Sequence, residues 1–487
     1  MKTIRVIGGG LAGPEAALQA AARGHEVHLY EMRPTRSTEA HQTSDFAELV
    51  CSNSLKSESE NSAPWLLKQE MRRARSILLA EADATAVPAG HALAVDRVEF
   101  SKRVAAMIEA NPRITIRREE ITTLPSHDDT TITILASGPL TSSPLAHSLQ
   151  QLTGSSHLAF YDSISPIVDA STIDMSRCYL AARWDKGTAD YINCPFTREE
   201  YYAFIDALAA AEKIEHKLWE QIPQGPGSSV HGPESQHSEP WALEPGPSYF
   251  EGCLPIEETA RRGRDTLRFG PMKPAGLTDP RTGRWPYACV QLRQENLRAD
   301  SYNLVGFQNS LRFGEQARIL RMIPGLENTK FLRYGQIHRN TYINAPTLLT
   351  ETLQLRQHPH ILIAGQLSGV EGYTESIAGG LLAGRFAAAL AQGITPAPAP
   401  RLSANGSLTH YITHADAKRF QPANITFDLL PPLEEELRKK VRDKKERHRI
   451  QCERALAAWD DWLANFSHCM SRVLPSHITQ YANPERH

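Results

Sequence analysis

The chain has 487 residues, of which 41% are hydrophobic and 22% are charged, and its formal net charge at pH 7 is -2. This length suffices for two or three domains with sizeable cores, and the composition excludes a disordered or fibrous protein. The near-neutral charge provides no global attraction to a polyanion, so a nucleic-acid partner would need a local basic patch.

The first thirty residues predict a strand at 3–7, a helix to about residue 23 and a second strand at 26–30. Between the first strand and the helix lies G-x-G-x-x-G, and Glu31 follows the second strand. This arrangement places a pyrophosphate on a helix N-terminus and a carboxylate on a ribose hydroxyl. The predicted cofactor-binding residues here are Gly8, Gly9, Gly10, Leu11, Ala12, Gly13 and Glu31.

Further along the chain, a helix is predicted after Asp96, a short strand at 114–117, and a buried strand in TITILASGPL at 131–140. The last segment resembles the strand by which two-dinucleotide flavoproteins leave their first domain. HILIAG at 360–365 is another buried strand, and a Gly/Ala-rich helix follows whose small side chains would allow close approach to a cofactor. Gly365 is therefore a further predicted cofactor-binding residue.

These elements predict an α/β fold whose Rossmann-like, two-dinucleotide-binding FAD domain is discontinuous, with an inserted α+β domain and a helical C-terminal tail. The predicted boundaries are 1–150 and 331–394 for the FAD domain, 151–330 for the inserted substrate domain, and 395–487 for a linker and the tail. Residues 221–248, rich in Pro, Gly, Ser and His, are predicted to form a flexible surface insertion.

The tail carries many positive charges at 437–449, where Lys440, Lys444 and Arg447 recur at helical spacing. A solvated helix face is the default interpretation, and a stripe that follows phosphates is the alternative. The longest apolar stretch, at 377–391, is broken by Arg385, so no membrane span is predicted.

Seven cysteines, an odd number with no C-x-x-C pair, argue against a disulfide framework, a zinc ribbon or a dithiol centre. No metal site is predicted, and a reducing cytoplasm fits this cysteine usage. Cys178 and Cys289 are predicted to be core thiols, and a structural role is favoured over a functional one for Cys194. Cys51 in ELVCSNSLK and Cys253 in FEGCLPIE differ, because their neighbours are small or polar.

Isolated thiols near a flavin can act as carbon nucleophiles, because a thiolate is strongly nucleophilic even when a small fraction is ionised. Uracil is a suitable target. Its C5 is inert until a thiolate adds to C6, and the addition turns C5 into a nucleophile that can accept a one-carbon unit.

Nearly the whole chain resembles the TrmFO family, the folate- and FAD-dependent tRNA (uracil-5-)-methyltransferases. The matching segments, in chain order, are EMRP, FAELVCSNSLK, VPAG, ALAVDR, FEGCLPIE, FGPMKPAGL, VQLRQ, HRNTYIN and GVEGY. The tail also resembles the family in FQPANITFDLLPPL and KKERHR. The insertion at 221–248 and the end after about residue 454 depart from it.

The resemblance implies that 5,10-methylenetetrahydrofolate donates its carbon to C5 of the T-loop uridine at tRNA position 54. Reduced FAD would supply electrons, and NADH or NADPH would reduce it again. Cys253 is implied to attack the uracil, and Cys51 to serve as a proton-transfer partner or a guarding thiol. Tyr373 is implied to stack on the flavin ring, and His338 and Arg312 to contact the folate. The implied partners are tRNA and folate, without a membrane or an obligate protein partner.

Two alternatives remain at this stage. One is the sister class of FAD-dependent enzymes that modify the wobble uridine of tRNA, although this chain is too short to match their long C-terminal region. The other is a flavin-containing protein that binds and folds tRNA without modifying it. Such a protein would not need Cys253.

Overall fold

The structure, a computed structural model, describes residues 2–38, 40–125, 128–155, 158–186, 188–214 and 254–471. Cys253 and the predicted flexible insertion at 221–248 lie outside the described residues. For His338 the backbone is described and the side chain is not.

The strands in chain order are β1 (Thr3–Ile7), β2 (Val27–Tyr30), β3 (Ser54–Ser57), β4 (Ala86–Val87), β5 (Ala92–Val95), β6 (Ile114–Arg117), β7 (Thr131–Leu135), β8 (Leu158–Ser163), β9 (Ile167–Asp169), β10 (Tyr179–Leu180), β11 (Ile192–Phe196), β12 (Ala288–Gln294), β13 (Ser301–Leu304), β14 (Phe331–Arg333), β15 (Ile337–Tyr342) and β16 (Ile361–Ile363).

The helices are α1 (Ala12–Ala21), α2 (Ala63–Arg73), α3 (Ile77–Ala84), α4 (Arg97–Glu109), α5 (Ser143–Thr153), α6 (Arg198–Ala209), α7 (Ile256–Arg261), α8 (Thr266–Phe269), α9 (Phe313–Leu320), α10 (Ala345–Leu348), α11 (Tyr373–Ala391), α12 (Ala404–His414), α13 (Glu435–Lys440) and α14 (Lys444–Ser471).

The first sheet is parallel throughout and has the strand order β16-β7-β1-β2-β6. Its strands are short apolar runs, as expected for strands that helices cover on both faces, and Ile4 and Val6 are fully buried. Strand β16 comes from a segment more than 200 residues after β7, so the sheet is closed by two distant parts of the chain. This confirms the predicted discontinuous, Rossmann-like fold.

The second sheet has six antiparallel strands in the order β10-β11-β12-β13-β9-β14 and encloses its own hydrophobic core. The chain leaves the first sheet along β8 and returns along β15, and these two strands pair with each other. The paired strands therefore form the double connection between the two sheets. The boundaries predicted from the sequence at 150, 330 and 394 stay predictions.

Helix α11 is predicted to bring small residues close to a cofactor, and two of its glycines meet α1. A Cβ at Gly380 would lie 2.2 Å from the carbonyl oxygen of Ala12, and one at Gly384 would lie 2.5 Å from that of Ala16. The absence of side chains thus lets two helix backbones pack against each other. This contact holds α1, and with it the loop after β1, against α11.

The C-terminal helices α12 and α14 are tied to α2 by the buried residue Glu70. Its oxygens accept hydrogen bonds from the backbone N–H groups of Ala404 (2.6 Å) and Asn405 (2.9 Å) at the start of α12. The indole of Trp459 on α14 donates to the Glu70 carbonyl at 2.7 Å. Burial raises the pKa of Glu70 to about 7, against the lowering effect of the Asn405 and Ala404 hydrogen bonds.

The positively charged segment of the tail is not one helix, so the predicted stripe is wrong in its geometry. Helix α13 ends at Lys440, Val441 is extended (φ -95°, ψ 98°), and α14 begins at Lys444. Asp443 causes this break, because its carboxylate accepts the Lys445 N–H (3.2 Å) and so caps a new helix. In the described parts of the chain no helix is both long and apolar enough to cross a membrane.

Candidate active site

A cleft with an empty volume of about 1000 Å³, part of it open to solvent, lies at the carboxyl ends of β1, β2 and β7. Parallel sheets of this type bind their ligands at this edge. Eight of the predicted cofactor residues line the cleft: Gly8, Gly9, Gly10, Leu11, Ala12, Glu31, Gly365 and Tyr373. Gly13 does not line it. A Cβ at Gly13 would lie 1.8 Å from the Gly8 carbonyl oxygen, so this glycine serves the close fit of α1.

The loop between β1 and α1 has a backbone that only glycine accepts easily. Gly8 has φ +116°, and a Cβ there would lie 2.3 Å from the carbonyl oxygen of Ala136. At Gly10 a Cβ would meet nothing within 4 Å, because this position faces open space. The loop therefore forms a cradle of backbone at a helix N-terminus, which fits a pyrophosphate group.

Glu31 is 6% exposed and is held on both oxygens. Its Oε2 accepts the Gly9 N–H at 2.7 Å, and its Oε1 accepts the Arg33 N–H (2.9 Å) and Nε–H (2.8 Å). Burial alone would raise the pKa of Glu31, but the hydrogen bonds and the charge of Arg33 outweigh it, and the net pKa is lowered. Since each carboxylate oxygen accepts about two hydrogen bonds, Oε2 has room for a ribose hydroxyl, and these residues fit FAD.

The loop that carries Cys51 borders the same cleft through Val50 and Tyr373. The Tyr373 hydroxyl accepts the backbone N–H groups of Cys51 (2.6 Å) and Ser52 (3.2 Å). Burial, followed by the nearby Cys51, raises the pKa of Tyr373, so its hydroxyl keeps its proton. Tyr373, the first residue of α11, therefore holds the backbone of Cys51 and Ser52 in place.

Asn53, two residues after Cys51, joins β5 to strand β12 of the second sheet. Its side chain is fully buried, and its Nδ2 donates to the carbonyl oxygens of Val95 (3.0 Å) and Gln294 (2.9 Å). Its Oδ1 accepts from Arg293 Nε at 3.0 Å. One amide thus locks the Cys51 loop between two separate parts of the fold.

Two arginines, Arg97 and Arg333, lie beside this loop. Arg97 donates from Nη1 to the Leu49 carbonyl (3.0 Å) and pairs through Nη2 with Glu295 (2.6 Å). Burial lowers the pKa of Arg333, as does the charge of Arg97, while the charge of Cys51 acts in the opposite direction. The charge of Arg97 is offset by Glu295, so Arg333 is the cation that remains next to Cys51.

We expect Tyr373→Phe to loosen the Cys51 loop, because it removes the acceptor of two backbone N–H groups. An unsatisfied buried donor costs about 1–3 kcal/mol. The variant should therefore have a lower melting temperature, and iodoacetamide should alkylate Cys51 faster, as followed by peptide mass mapping. Tyr411→Phe is the matched control, because that hydroxyl donates to the Gln421 carbonyl at 2.9 Å, a contact that does not involve the Cys51 loop. Equal alkylation rates in both variants would contradict this role of Tyr373.

The remaining predicted residues occupy other positions. Arg312 pairs with Glu212 on the surface (2.9 Å) and does not line the cleft. His338 lies on β15 opposite Asp162 of β8.

The core thiols are as predicted, since Cys178, Cys194 and Cys289 are all buried. The Sγ atoms of Cys178 and Cys194 lie 3.5 Å apart, a proximity that their 16-residue separation did not indicate.

Comparison with known proteins places this site in a family. Residues 3–395 match the sequence profile of the family described as glucose inhibited division protein A. Two solved structures of GidA from Aquifex aeolicus share the fold. One has a TM-score of 0.61 at 17% identity, over 85% of this chain and 70% of that chain, and the other a TM-score of 0.60 at 16% identity.

Two curated relatives are both named methylenetetrahydrofolate–tRNA-(uracil-5-)-methyltransferase TrmFO. The protein of Koribacter versatilis is 64% identical over 95% of this chain and 98% of its own length. That of Solibacter usitatus is 59% identical over 95% of this chain and 98% of its own length. The chain therefore belongs to the glucose inhibited division protein A family and, within it, to the TrmFO methylenetetrahydrofolate–tRNA-(uracil-5-)-methyltransferases.

Proposed function

We propose that this chain methylates C5 of uridine 54 in the T loop of tRNA, with 5,10-methylenetetrahydrofolate as the carbon donor. The observation that carries the proposal is the attachment of the Cys51 loop, through Tyr373, to the wall of the dinucleotide cleft. Relatives at 64% and 59% identity with the same activity in their names support it.

The overall reaction balances when two electrons enter from outside the folate. The CH2 group of the folate and one added hydride become the methyl group on C5. The C5 proton is lost, and tetrahydrofolate is released. FAD, when bound, supplies these two electrons in its reduced form. The proposed FAD contacts are the backbone of Gly8 to Ala12, the carboxylate of Glu31, and Gly365.

In the proposed mechanism, the Cys253 thiolate adds to C6 of the uracil, and C5 then attacks the methylene carbon. Cys51 is proposed to exchange a proton with the intermediate or to guard it, and Arg333 supplies positive charge beside it. Once C5 has lost its proton, the bond from the transferred carbon to the folate nitrogen has broken and that carbon has been reduced to a methyl group, the C6–S bond breaks and the thiolate is regenerated. Tyr373 and Asn53 hold the Cys51 backbone in place during these steps. Folate contacts are assigned to His338 and Arg312, as the family resemblance implies.

NADH or NADPH is the proposed source of electrons for FAD, and the cytoplasm is the proposed location. Few cysteines and the absence of a C-x-x-C pair support a reducing compartment. The proposed domain division keeps 1–150 and 331–394 for FAD and 151–330 for the substrates.

Mass analysis of tRNA nucleosides tests this function directly. Cells that lack the gene should lose 5-methyluridine at tRNA position 54, and the cloned gene should restore it, whereas a Cys253→Ala copy should not. Purified yellow protein should methylate the same position when it receives the folate donor and NADH or NADPH. A loss confined to the wobble uridine, or unchanged nucleosides, would contradict the proposal.

A further inference from the structure

Two exposed tryptophans lie side by side on the second sheet layer. Trp184 is 54% exposed and Trp285 is 50% exposed, and their rings meet edge to face with centroids 5.2 Å apart. Large aromatic side chains normally bury most of their surface, so an exposed pair marks an interaction site more often than an isolated one does.

The backbone at Trp184 is also in an unfavourable conformation. Its φ of 61° and ψ of 27° are left-handed, a region that bulky side chains rarely occupy. The turn is held by a hydrogen bond from the Trp184 N–H to the Gly276 carbonyl (2.7 Å), and a Cβ at Gly276 would lie 2.6 Å from the indole. The fold thus positions this ring at the surface against its local preference, which points to a function for the ring.

Four cations lie near the two rings, because Arg183, Lys186 and Arg284 are close to them in the chain and the Lys273 backbone contacts Arg183. We define the tryptophan patch as Arg183, Trp184, Lys186, Lys273, Arg284 and Trp285. The guanidinium of Arg183 donates to the carbonyl oxygen of Lys273 (3.1 Å) and to Gln291 Oε1 (2.8 Å). These acceptors are neutral, so they satisfy its hydrogen bonds without cancelling its charge. Asp185 is the exposed acid within this stretch, against four cations.

We propose that the tryptophan patch binds tRNA, with the indole faces stacking on bases or riboses and the cations contacting phosphates. Exposed aromatic rings next to Lys and Arg are the combination that recognises RNA, because every base offers a π face and every nucleotide a negative charge. This inference rests on the proposed function, which makes tRNA the substrate. It assigns part of the tRNA contact to a surface outside the cleft.

Strand β12 sets an upper limit on the distance between the tryptophan patch and the Cys51 loop. It begins three residues after Trp285 and ends at Gln294, whose carbonyl accepts the Asn53 amide beside Cys51. At roughly 3.3 Å per residue, this path is about 30 Å long at most. One strand of nucleic acid advances about 3.4 Å per nucleotide, so this path corresponds to at most about nine nucleotides of one strand.

The test uses the full-length protein and an unmodified tRNA transcript. Trp184→Asn combined with Trp285→Ala should weaken tRNA binding about tenfold. Asn suits a left-handed backbone, so the melting temperature and FAD content should not fall. Under saturating folate, KM for tRNA should rise while kcat is unchanged. Trp285→Phe should retain most of the affinity, because a ring remains, and Phe313→Ala is the control at another exposed aromatic of the same layer.

The charges are tested separately. Lys273→Glu with Arg284→Glu should flatten the salt dependence of tRNA binding, each lost phosphate contact reducing the log–log slope by about 0.7–0.9. Lys102→Glu, a single charge reversal on the exposed face of α4 with half the charge change, should not alter it. Wild-type affinity and slope in all patch variants would overturn the patch while leaving the proposed function intact. So would altered self-association without loss of tRNA affinity. A wild-type protein that binds tRNA through the patch but does not methylate it would instead contradict the proposed function.

Discussion

Cys253→Ala is expected to abolish methylation of tRNA while the protein keeps its FAD. Without a thiolate at C6, C5 of uracil is not nucleophilic, and removal of a catalytic nucleophile lowers turnover by about four orders of magnitude or more. Single-turnover assays with radiolabelled folate donor measure this loss. Cys469→Ala, which removes an exposed thiol near the C-terminus, is the control and should methylate at the wild-type rate.

Transcripts with 5-fluorouridine at position 54 identify the atom that attacks. Fluorine cannot leave C5 as a proton does, so the adduct should persist as a gel-stable protein–tRNA band whose bond maps to Cys253. Cys51→Ala should lose methylation and still form the band, if Cys51 acts after the addition. Should Cys253→Ala methylate at the wild-type rate, Cys51 becomes the first alternative, because Cys194 is completely buried.

Glu31→Gln is expected to weaken FAD binding about 10- to 150-fold, since a charge-assisted hydrogen bond contributes roughly 1.5–3 kcal/mol. The variant also leaves the buried Arg33 with Glu48 as its remaining carboxylate partner (3.1 Å), so the melting temperature should fall as well. Fluorescence titration of the FAD-free protein measures the affinity. The control is Glu26→Gln, which neutralises an exposed carboxylate paired with Arg113.

The same carboxylate predicts a pH dependence. The folded-state pKa of Glu31 lies below its usual 4.5, so its contribution to stability is complete above about pH 4.5. That contribution disappears as the pH falls through the lowered pKa, because the protonated acid binds Arg33 less well. Glu31→Gln should lack this acid-sensitive component. An unchanged FAD affinity together with a wild-type acid profile would show that Glu31 does not hold the ribose.

The sequence predicted the elements whose signal is local. Strands β1 and β6 have the bounds expected from their apolar runs, and the glycine motif with Glu31 located the cleft. In the tail, periodicity alone predicted one helical face, and the capping carboxylate of Asp443 was the local signal that it missed.

The parts that could not be predicted depend on long-range contacts. Asn53 meets Arg293 and Gln294 across some 240 positions of sequence, and nothing in CSNS indicates those partners. Arg333 stands close to Cys51 because β14 joins the edge of the second sheet. Only the order in which strands pair brings such residues together, and hydrophobic periodicity does not encode that order.

The buried Glu70 clamp bears on how the chain is synthesised. Its partners Ala404, Asn405 and Trp459 are synthesised long after Glu70. Strand β16, the neighbour of β7 in the first sheet, is likewise synthesised long after β7. During translation, β7 therefore lacks its neighbour β16, and the Glu70 carboxylate lacks its hydrogen-bond donors at the start of α12. Both contacts form only after most of the chain has left the ribosome. About 390 residues separate Glu70 from Trp459. At about 5–20 residues per second, their synthesis requires roughly 20–80 s. Throughout that interval the N-terminal segment exposes apolar surface that the finished fold buries, which favours aggregation of the incomplete chain.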